Sequence, residues 1–240
     1  MIHVLDIAKQ FGDQQVLTGV SLDIRDNENL VILGPSGQGK TVLIKILVRL
    51  LEPSAGRIEY DGLDILGLNR RELYEFRKSV AFVFQNSALF DFLNVRQNLA
   101  LFRKMHLNLP PAEVEERILR ALSFVGLQSD TLDKYPEELS EGMKKRVAIA
   151  RAIVKRPRYI FYDEPTNGLD KRNARLVSEL ICMLKEKVQA TSVVVTHDIE
   201  LMRRVADRAA LLKDGVICSV GAPEALSAGT LNDLYETGDD

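Results

Sequence analysis

One glycine-rich segment constrains the fold of this chain more than any other stretch: Gly34-Pro35-Ser36-Gly37-Gln38-Gly39-Lys40-Thr41. It follows an apolar run at 30–33 that is typical of a buried strand, and it precedes an amphipathic helical pattern that continues to 51. The spacing fits G-x-x-x-x-G-K-[ST], a loop whose backbone N–H groups surround phosphate oxygens at a helix N-terminus. We therefore expect Lys40 to contact the β- and γ-phosphates of a nucleotide and Thr41 to bind Mg²⁺. The alternative is a glycine-rich turn that matches by chance.

Length and composition limit the number of domains and the class of partner. A chain of 240 residues has room for one substantial core with a smaller lobe, but not for two large domains. Its net charge of −2 provides no overall positive field that would attract nucleic acid. No apolar stretch approaches the ~18 residues of a membrane span, so we expect a cytoplasmic polypeptide unless a partner holds it at a membrane. Cys182 and Cys218 lack metal-ligand spacing, and we expect both to fill the core.

Hydrophobic periodicity predicts an α/β chain with a helical insertion. Alternating patterns at 2–9 and 16–25, on either side of a turn at 11–13, predict an antiparallel pair of strands. From about 89 to 158 the pattern is helical with no convincing strand, and the α/β pattern then resumes. We predict a single domain over 1–240, in which an α/β core (1–88 and 159–240) carries an N-terminal antiparallel β subdomain and an inserted α-helical subdomain. The acidic end at 237–240 is expected to fray.

The local pattern also predicts the individual elements. Helices are expected at 40–51, 69–78, 171–189 and 199–205, with others beginning at Pro110-Pro111, Ser140 and Pro223. Strands are expected at 57–60, 80–84, 159–162, 192–196, 209–212 and 216–220.

Two carboxylates follow the apolar run at 159–162. A buried strand that ends in Asp163-Glu164 places one carboxylate near Mg²⁺ and the next facing the γ-phosphate. In that position Glu164 can accept a proton from an attacking water molecule. The alternative is an acidic pair that caps the next helix.

Gln85 and His197 also stand at the ends of buried strands, where open α/β sheets place their site residues. The neutral amide of Gln85 can bind Mg²⁺ or orient water, and the imidazole of His197 can hydrogen-bond the γ-phosphate. Each taken alone is more often an ordinary polar residue at a strand end. Four strand ends with suitable chemistry in one chain favour a shared site.

The segment 139–146 begins a helix with a serine cap, Ser140, and a glycine, Gly142, and is therefore a second anion-binding helix N-terminus. One nucleotide already has its phosphates at the first, so the second is expected to serve a nucleotide on a partner subunit. This predicts a head-to-tail dimer with two shared sites. A carboxylate beside a γ-phosphate is repulsive, but the cost is small if the helix start aims Glu141 away from the nucleotide, and we expect activity to be retained.

The order of these motifs, with Gly168-Leu169-Asp170 added, resembles the ATP-binding-cassette (ABC) ATPases along essentially the whole chain. The resemblance implies a P-loop NTPase core of the RecA-like type that binds ATP and Mg²⁺. It implies that Phe11 stacks on adenine, Gln85 is the loop glutamine that helps Thr41 and Asp163 to bind Mg²⁺, and Glu164 is the general base. It also implies roles at a homodimer interface and at the γ-phosphate: Ser140 and Gly142 would contact the partner's ATP, Asp170 would cross the interface, and His197 would sense the γ-phosphate. Glu141 departs from the usual glycine and Met143 from the frequent glutamine.

Within that family, residues 85–95 and 39–45, together with Met143, resemble the ATPase of Mla-type phospholipid transporters. That resemblance implies integral membrane permeases of the inner membrane and lipid-binding proteins of the mammalian-cell-entry type as partners. Ser87 departs from the glycine common there. Leu89, Phe90, Phe92 and Leu93 suit either a groove for a partner helix or the lobe's own core.

Three other functions compete with lipid transport. The nearest is the ATPase of a small-solute importer, for example of amino acids. A soluble ABC protein acting on nucleic acid is another, suggested by the basic residues between 144 and 158, although such a run is more often a solvated helix face. A third is a degenerate cassette that binds ATP without hydrolysing it, which Lys40 and Glu164 disfavour.

Overall fold

The chain folds around two β-sheets in a computed structural model that describes residues 1–106 and 109–226. The smaller sheet is antiparallel, with strand order β2-β1-β4-β5. Its strands are β1 (Ile2–Phe11), β2 (Gln14–Ile24), β4 (Ala55–Tyr60) and β5 (Leu63–Asp64). The β1–β2 pairing confirms the antiparallel pair expected from the alternating pattern.

The larger sheet has six strands in the order β10-β9-β3-β8-β7-β6. They are β3 (Asn29–Leu33), β6 (Val80–Val83), β7 (Tyr159–Asp163), β8 (Thr191–Thr196), β9 (Arg208–Lys213) and β10 (Val216–Gly221). All neighbouring strands are parallel except β9 and β10, which are antiparallel. The carboxyl ends of β3, β8, β7 and β6 therefore meet side by side at one edge of the sheet.

Both faces of the larger sheet are buried, because successive side chains of its central strands enter two different cores. Leu30 and Ile32 pack with the smaller sheet and helix α1 (Lys40–Leu47), whereas Val31 and Leu33 pack with the helices that follow β6 in the chain. The sheet thus lies in the middle of three layers. This explains why its strands appear in the sequence as continuous apolar runs.

The remaining helices are, in chain order, α2 (Arg70–Lys78), α3 (Val95–His106), α4 (Pro111–Phe124), α5 (Glu141–Ile153), α6 (Lys171–Val188) and α7 (Ile199–Val205). Short 3₁₀ helices span Ser129–Asp133, Pro136–Glu138 and Pro223–Ala225. Between β6 and β7 the described residues form helices and no strand, as the periodicity predicts. The boundaries of the subdomains stay predictions.

Helix α1 is shorter than its apolar pattern suggests. The pattern predicts a helix to 51, but α1 ends at Leu47 and Arg49 adopts a left-handed backbone, with φ of 52°. The Arg49 guanidinium donates hydrogen bonds to the carbonyl oxygens of Ile65 and Leu68, both at 2.8 Å. Val48 is still buried against the same core, so burial continues after the helix has ended.

The expectation that both cysteines fill the core is wrong for Cys218, which is exposed, while Cys182 is half-buried. Cys218 lies on β10, an edge strand whose side chains alternate between exposed and partly covered positions. The predicted fray of residues 237–240 lies outside the described residues. None of the helices within residues 1–106 and 109–226 is both long and apolar enough to cross a membrane.

Candidate nucleotide site

Four adjacent strands deliver the predicted site residues to one edge of the sheet. The segment 34–41 follows β3, His197 follows β8, Glu164 follows β7, and Gln85 follows β6. In chain order these residues are far apart, and they become neighbours because the strands are parallel and adjacent. The sequence predicts each strand end, whereas the adjacency of the strands comes from the fold.

Glycine is required in the 34–41 loop for two separate reasons. Gly37 and Gly39 have φ of 84° and 90°, a left-handed backbone that side chains disfavour. At Gly34 the reason is contact, because a Cβ atom there would lie 2.4 Å from the carbonyl oxygen of Leu212. The loop is held from outside as well, since the Gln38 side-chain oxygen accepts a 2.6 Å hydrogen bond from the backbone N–H of Asp214.

Lys40 is buried at the first residue of α1. Its ammonium donates hydrogen bonds to the carbonyl oxygens of Gly34 and Pro35, at 2.7 and 2.8 Å, and lies 3.7 Å from the Glu164 carboxylate. Burial lowers the pKa of Lys40, and the charge of Glu164 opposes that shift. A buried ammonium at a helix N-terminus beside a glycine loop provides a fixed positive charge for an anionic ligand.

Thr41 and Asp163 are in direct contact. The Thr41 hydroxyl donates a 2.9 Å hydrogen bond to the Asp163 carboxylate, which is the last residue of β7. Burial raises the pKa of Asp163, and the bond from Thr41 acts in the opposite direction. The Thr41 hydroxyl and the Asp163 carboxylate are oxygen donors of the kind that Mg²⁺ prefers, and the amide of Gln85, two residues beyond β6, would be the third. The capping alternative for Asp163-Glu164 is wrong, because Asp170 caps the next helix.

Glu164 lies at the centre of the polar contacts. Its carboxylate accepts a 3.0 Å hydrogen bond from the Thr196 hydroxyl and lies 3.0 Å from Nδ1 of His197. The residue is only 8% exposed, and its φ of 46° places it in the left-handed region that non-glycine residues seldom adopt. Strained backbone at a buried carboxylate is typical of a site where the position of that side chain matters.

The second helix N-terminus has the expected cap. The Ser140 hydroxyl accepts a 3.3 Å hydrogen bond from the backbone N–H of Met143. The Glu141 side chain is 68% exposed and paired with Lys144 at 2.8 Å. A Cβ atom on Gly142 would lie 2.3 Å from the side-chain oxygen of Asn173, so a larger residue here requires the Asn173 side chain to move.

Two predicted residues lie outside the Lys40–Glu164 cluster. Phe11 ends β1 with its ring 45% exposed, and the Lys9 ammonium lies 4.9 Å from the ring centroid. Asp170 is exposed and accepts hydrogen bonds from the backbone and side chain of Asn173, and the backbone bond holds the pKa of Asp170 below its usual value. Asn173 thus connects Asp170 with Gly142 on one surface.

Four of the basic residues between 144 and 158 are not part of the solvated face that the sequence favours, whereas Arg156 and Arg158 are exposed. Arg146, Arg151 and Lys155 donate to backbone carbonyl oxygens in three other segments, and burial lowers the pKa of all three. Lys145 is buried as well, and its ammonium donates to the backbone carbonyls of Gln85 and Glu164. The sequence contains these cations, but the carbonyl groups that they bind appear only in the fold.

Comparison with known proteins identifies the family. The ABC transporter family profile matches residues 17–167. The chain therefore belongs to the ABC transporter family, and its fold is that of an ATP-binding cassette. The α/β P-loop fold expected from the motifs is confirmed.

Relatives with different transport roles resemble the chain almost equally. The probable ribonucleotide transport ATP-binding protein mkl of Mycobacterium leprae is 38% identical over 94% of this chain, which spans 65% of that protein. The intermembrane phospholipid transport ATP-binding protein MlaF of Haemophilus influenzae is 37% identical over 94% of this chain, which spans 85% of MlaF. The sulfate/thiosulfate import ATP-binding protein CysA of Synechocystis is 36% identical over 94% of this chain and 61% of its own length.

Solved structures agree on the fold. The cassette MJ0796, in a dimeric post-hydrolysis state bound to ADP and Pi, has a TM-score of 0.85 and 32% sequence identity, covering 93% of this chain and 99% of the other. CbiO1 from Clostridium perfringens, part of the transporter complex cbiONQ, also has a TM-score of 0.85, with 31% identity over 96% of this chain.

Proposed function

We propose that this chain is the ATP-hydrolysing subunit of an ABC transporter that moves phospholipid or another lipid between envelope membranes. One observation carries the catalytic part: the buried carboxylate of Glu164 lies 3.0 Å from His197 and 3.7 Å from Lys40, beside the 34–41 loop. A base, a fixed cation and a phosphate-binding loop are thereby combined at one edge of the sheet.

In this proposal each residue has one task in hydrolysis. Backbone N–H groups of 34–41 and the Lys40 ammonium bind the β- and γ-phosphates, and Phe11 stacks on the adenine. Thr41, Asp163 and Gln85 would hold Mg²⁺, which when bound neutralises charge on the phosphates. Glu164 accepts the proton of the attacking water, and His197 contacts the γ-phosphate while holding the Glu164 side chain in place.

The site is completed by a second copy of the chain. Ser140 and Gly142 present a helix N-terminus on a surface shared with Asp170, and the described polar contacts do not join them to the 34–41 loop of their own chain. A head-to-tail homodimer would place them against the partner's ATP. The dimeric MJ0796 cassette supports this arrangement by its similarity to the chain.

The permease is proposed to dock beside Gln85. Phe90 and Phe92 are 47% and 76% exposed and form an edge-to-face pair, with ring centroids 5.6 Å apart. Leu89, in contrast, packs against the lobe core and is therefore not part of the proposed docking surface. Exposed aromatic rings five and seven residues beyond Gln85, a proposed Mg²⁺ ligand, suit a membrane partner that responds to the nucleotide. The cassette would then lie on the cytoplasmic face of the inner membrane.

The lipid substrate is supported by similarity to MlaF, of which this chain spans 85%. That similarity also supports lipid-binding accessory proteins of the mammalian-cell-entry type as partners. A small-solute importer is the second candidate, because CysA is 36% identical over a similar part of the chain. Arg146 and Arg151 donate hydrogen bonds to backbone carbonyl oxygens of this chain. These basic residues therefore give the nucleic-acid alternative no support.

Co-purification from membranes tests the transport role. The tagged chain, extracted in mild detergent, is expected to bring an integral membrane protein and bound phospholipid, both identified by mass spectrometry. A permease with a periplasmic solute-binding protein and no lipid would favour the importer. Recovery of ribosomes or DNA without a membrane protein would refute transport altogether.

A further inference from the structure

Lys145 is a buried cation whose hydrogen bonds join two loops of the site. It lies on the first turns of α5 and is 3% exposed. Its ammonium donates to the backbone carbonyl of Gln85 and, at 3.4 Å, to the backbone carbonyl of Glu164. One side chain therefore connects the helix that begins at Ser140 with the residues proposed to bind Mg²⁺ and to activate water.

Burying an ammonium costs free energy unless hydrogen bonds compensate for the lost water. Here those bonds go to main-chain oxygens, so the position of the backbone at both loops depends on the lysine. Glu164 needs such support, because its φ of 46° is unfavourable for a residue with a side chain. The loop after Gln85 also has an unfavourable backbone conformation, because Ser87 and Ala88 have φ of 58° and 48°.

We propose that Lys145 is a positioning residue that fixes the backbone of Glu164 relative to the backbone of Gln85. A movement of α5 would therefore displace the catalytic carboxylate. This inference rests on the proposed role of Glu164 as general base. The hydrogen bonds of Lys145 go to backbone carbonyls of the two loops and not to their side chains, so we infer that it acts mainly through the backbone, although its charge also interacts with the carboxylates of Asp163 and Glu164. Ser140 caps helix α5 and Gly142 lies in its first turn. A partner's nucleotide that binds at the N-terminus of α5 would therefore shift the helix and Lys145 with it.

A purely structural role is the competing explanation, and α5 supplies a matched control. Lys155 follows the end of the same helix, is largely buried, and donates to the backbone carbonyls of Arg77 and Val80. Both lysines thus bind two main-chain oxygens. One partner of Lys155 is Val80, the first residue of β6, whereas one partner of Lys145 is Gln85, which lies beyond the end of β6. A general loss of stability would affect both variants, whereas a positioning role would affect the rate of only one.

The experiment compares Lys145→Met and Lys155→Met in steady-state ATP hydrolysis, with ATP affinity and thermal unfolding measured on the same preparations. We expect Lys145→Met to lower kcat by about 10- to 100-fold, because small displacements of catalytic groups have effects of that size. The Kd for ATP is expected to stay within about twofold, since the phosphate loop is untouched. Lys155→Met is expected to lose stability but keep its kcat. Equal loss of kcat in both variants, or an unchanged kcat in Lys145→Met, would overturn the proposal.

A double-mutant cycle separates this inference from the role of Glu164. If Lys145 acts through Glu164, then Lys145→Met should have little further effect on kcat in a Glu164→Gln background. Independent effects, with the two losses multiplying, would contradict the inference. If Glu164→Gln alone hydrolyses ATP at the normal rate, the general-base role fails; if it loses activity while Lys145→Met does not, only the positioning role fails.

Discussion

Replacing Glu164 by glutamine removes the proposed base with almost no change in shape. The amide keeps one oxygen that can accept the 3.0 Å hydrogen bond from Thr196, but it is neutral and cannot take a proton from water. Lys40 keeps its two carbonyl partners at 2.7 and 2.8 Å, so the loop should hold its conformation. The chain is therefore expected to fold and to bind ATP.

The size of the expected fall in kcat follows from the proposed role of Glu164 as general base. General base catalysis contributes about 10²- to 10⁴-fold, or about 3–5 kcal/mol of barrier. We expect kcat to fall by at least about 100-fold, and ATP to bind at least as tightly because a negative charge near the phosphates has been removed. An ATP-bound dimer should accumulate, since the ligand that closes it is no longer consumed.

Phosphate release and size-exclusion chromatography with ATP measure these two effects. Glu200→Gln is the matched control, because Glu200 lines the same cleft as Glu164 and His197 but is 78% exposed and paired with Arg204. That variant should hydrolyse ATP normally. Hydrolysis at the normal rate by Glu164→Gln would refute the assignment of the base.

Three further predictions concern the partner surface, the loop and the titration of a buried lysine. Phe92→Ser should leave ATP hydrolysis and thermal stability unchanged, because the ring is 76% exposed, but it should reduce recovery of the membrane partner in a pull-down; unchanged recovery would contradict docking there. Asn98→Ala should destabilise the fold by about 2–3 kcal/mol in urea unfolding, since its buried amide binds the backbone of Phe90, Leu93 and Asn94; a loss below about 1 kcal/mol would contradict this. Burial lowers the pKa of Lys155 to about 8, so the unfolded chain holds that proton up to higher pH than the folded chain. Stability should therefore rise as pH increases above about 8, and Lys155→Met should show a smaller rise, because the lowered pKa values of Lys40 and Lys145 still contribute; equal pH profiles would contradict the assignment.

The sequence predicts the chemistry of the site better than its assembly. Lys40, Asp163 and Glu164 follow from a loop motif and a buried strand, because main-chain geometry at a glycine loop or a strand end is a local property. The partners of those residues are not local. Thr196 binds Glu164 only because β7 and β8 are neighbours in the sheet. The hydrophobic periodicity of the sequence predicts each strand but not the order of the strands.

The wrong predictions for the end of α1 and for the basic residues have the same physical origin. The pattern extends α1 past Leu47 because Val48 is still buried, and burial alone does not distinguish a helix from the turn that follows it. Lys145 and Arg151 resemble a solvated basic face because a sequence shows the cation but not the carbonyl oxygens that it binds. The positive φ of Ser87 has no signal in the residue itself, and only the glycine that the resemblance to Mla-type ATPases implies at this position points to it.

The central claim is that each ATP site is completed by a second copy of the chain, and mixing two inactive variants tests it most directly. Lys40→Met disables the phosphate loop, and Gly142→Asp blocks the helix N-terminus, where even a Cβ atom would lie 2.3 Å from Asn173. In a head-to-tail dimer each mixed pair contains one fully intact site, so the mixture should recover up to about a quarter of the normal ATP hydrolysis. No recovery, with mixed dimers shown to form, would contradict the shared site.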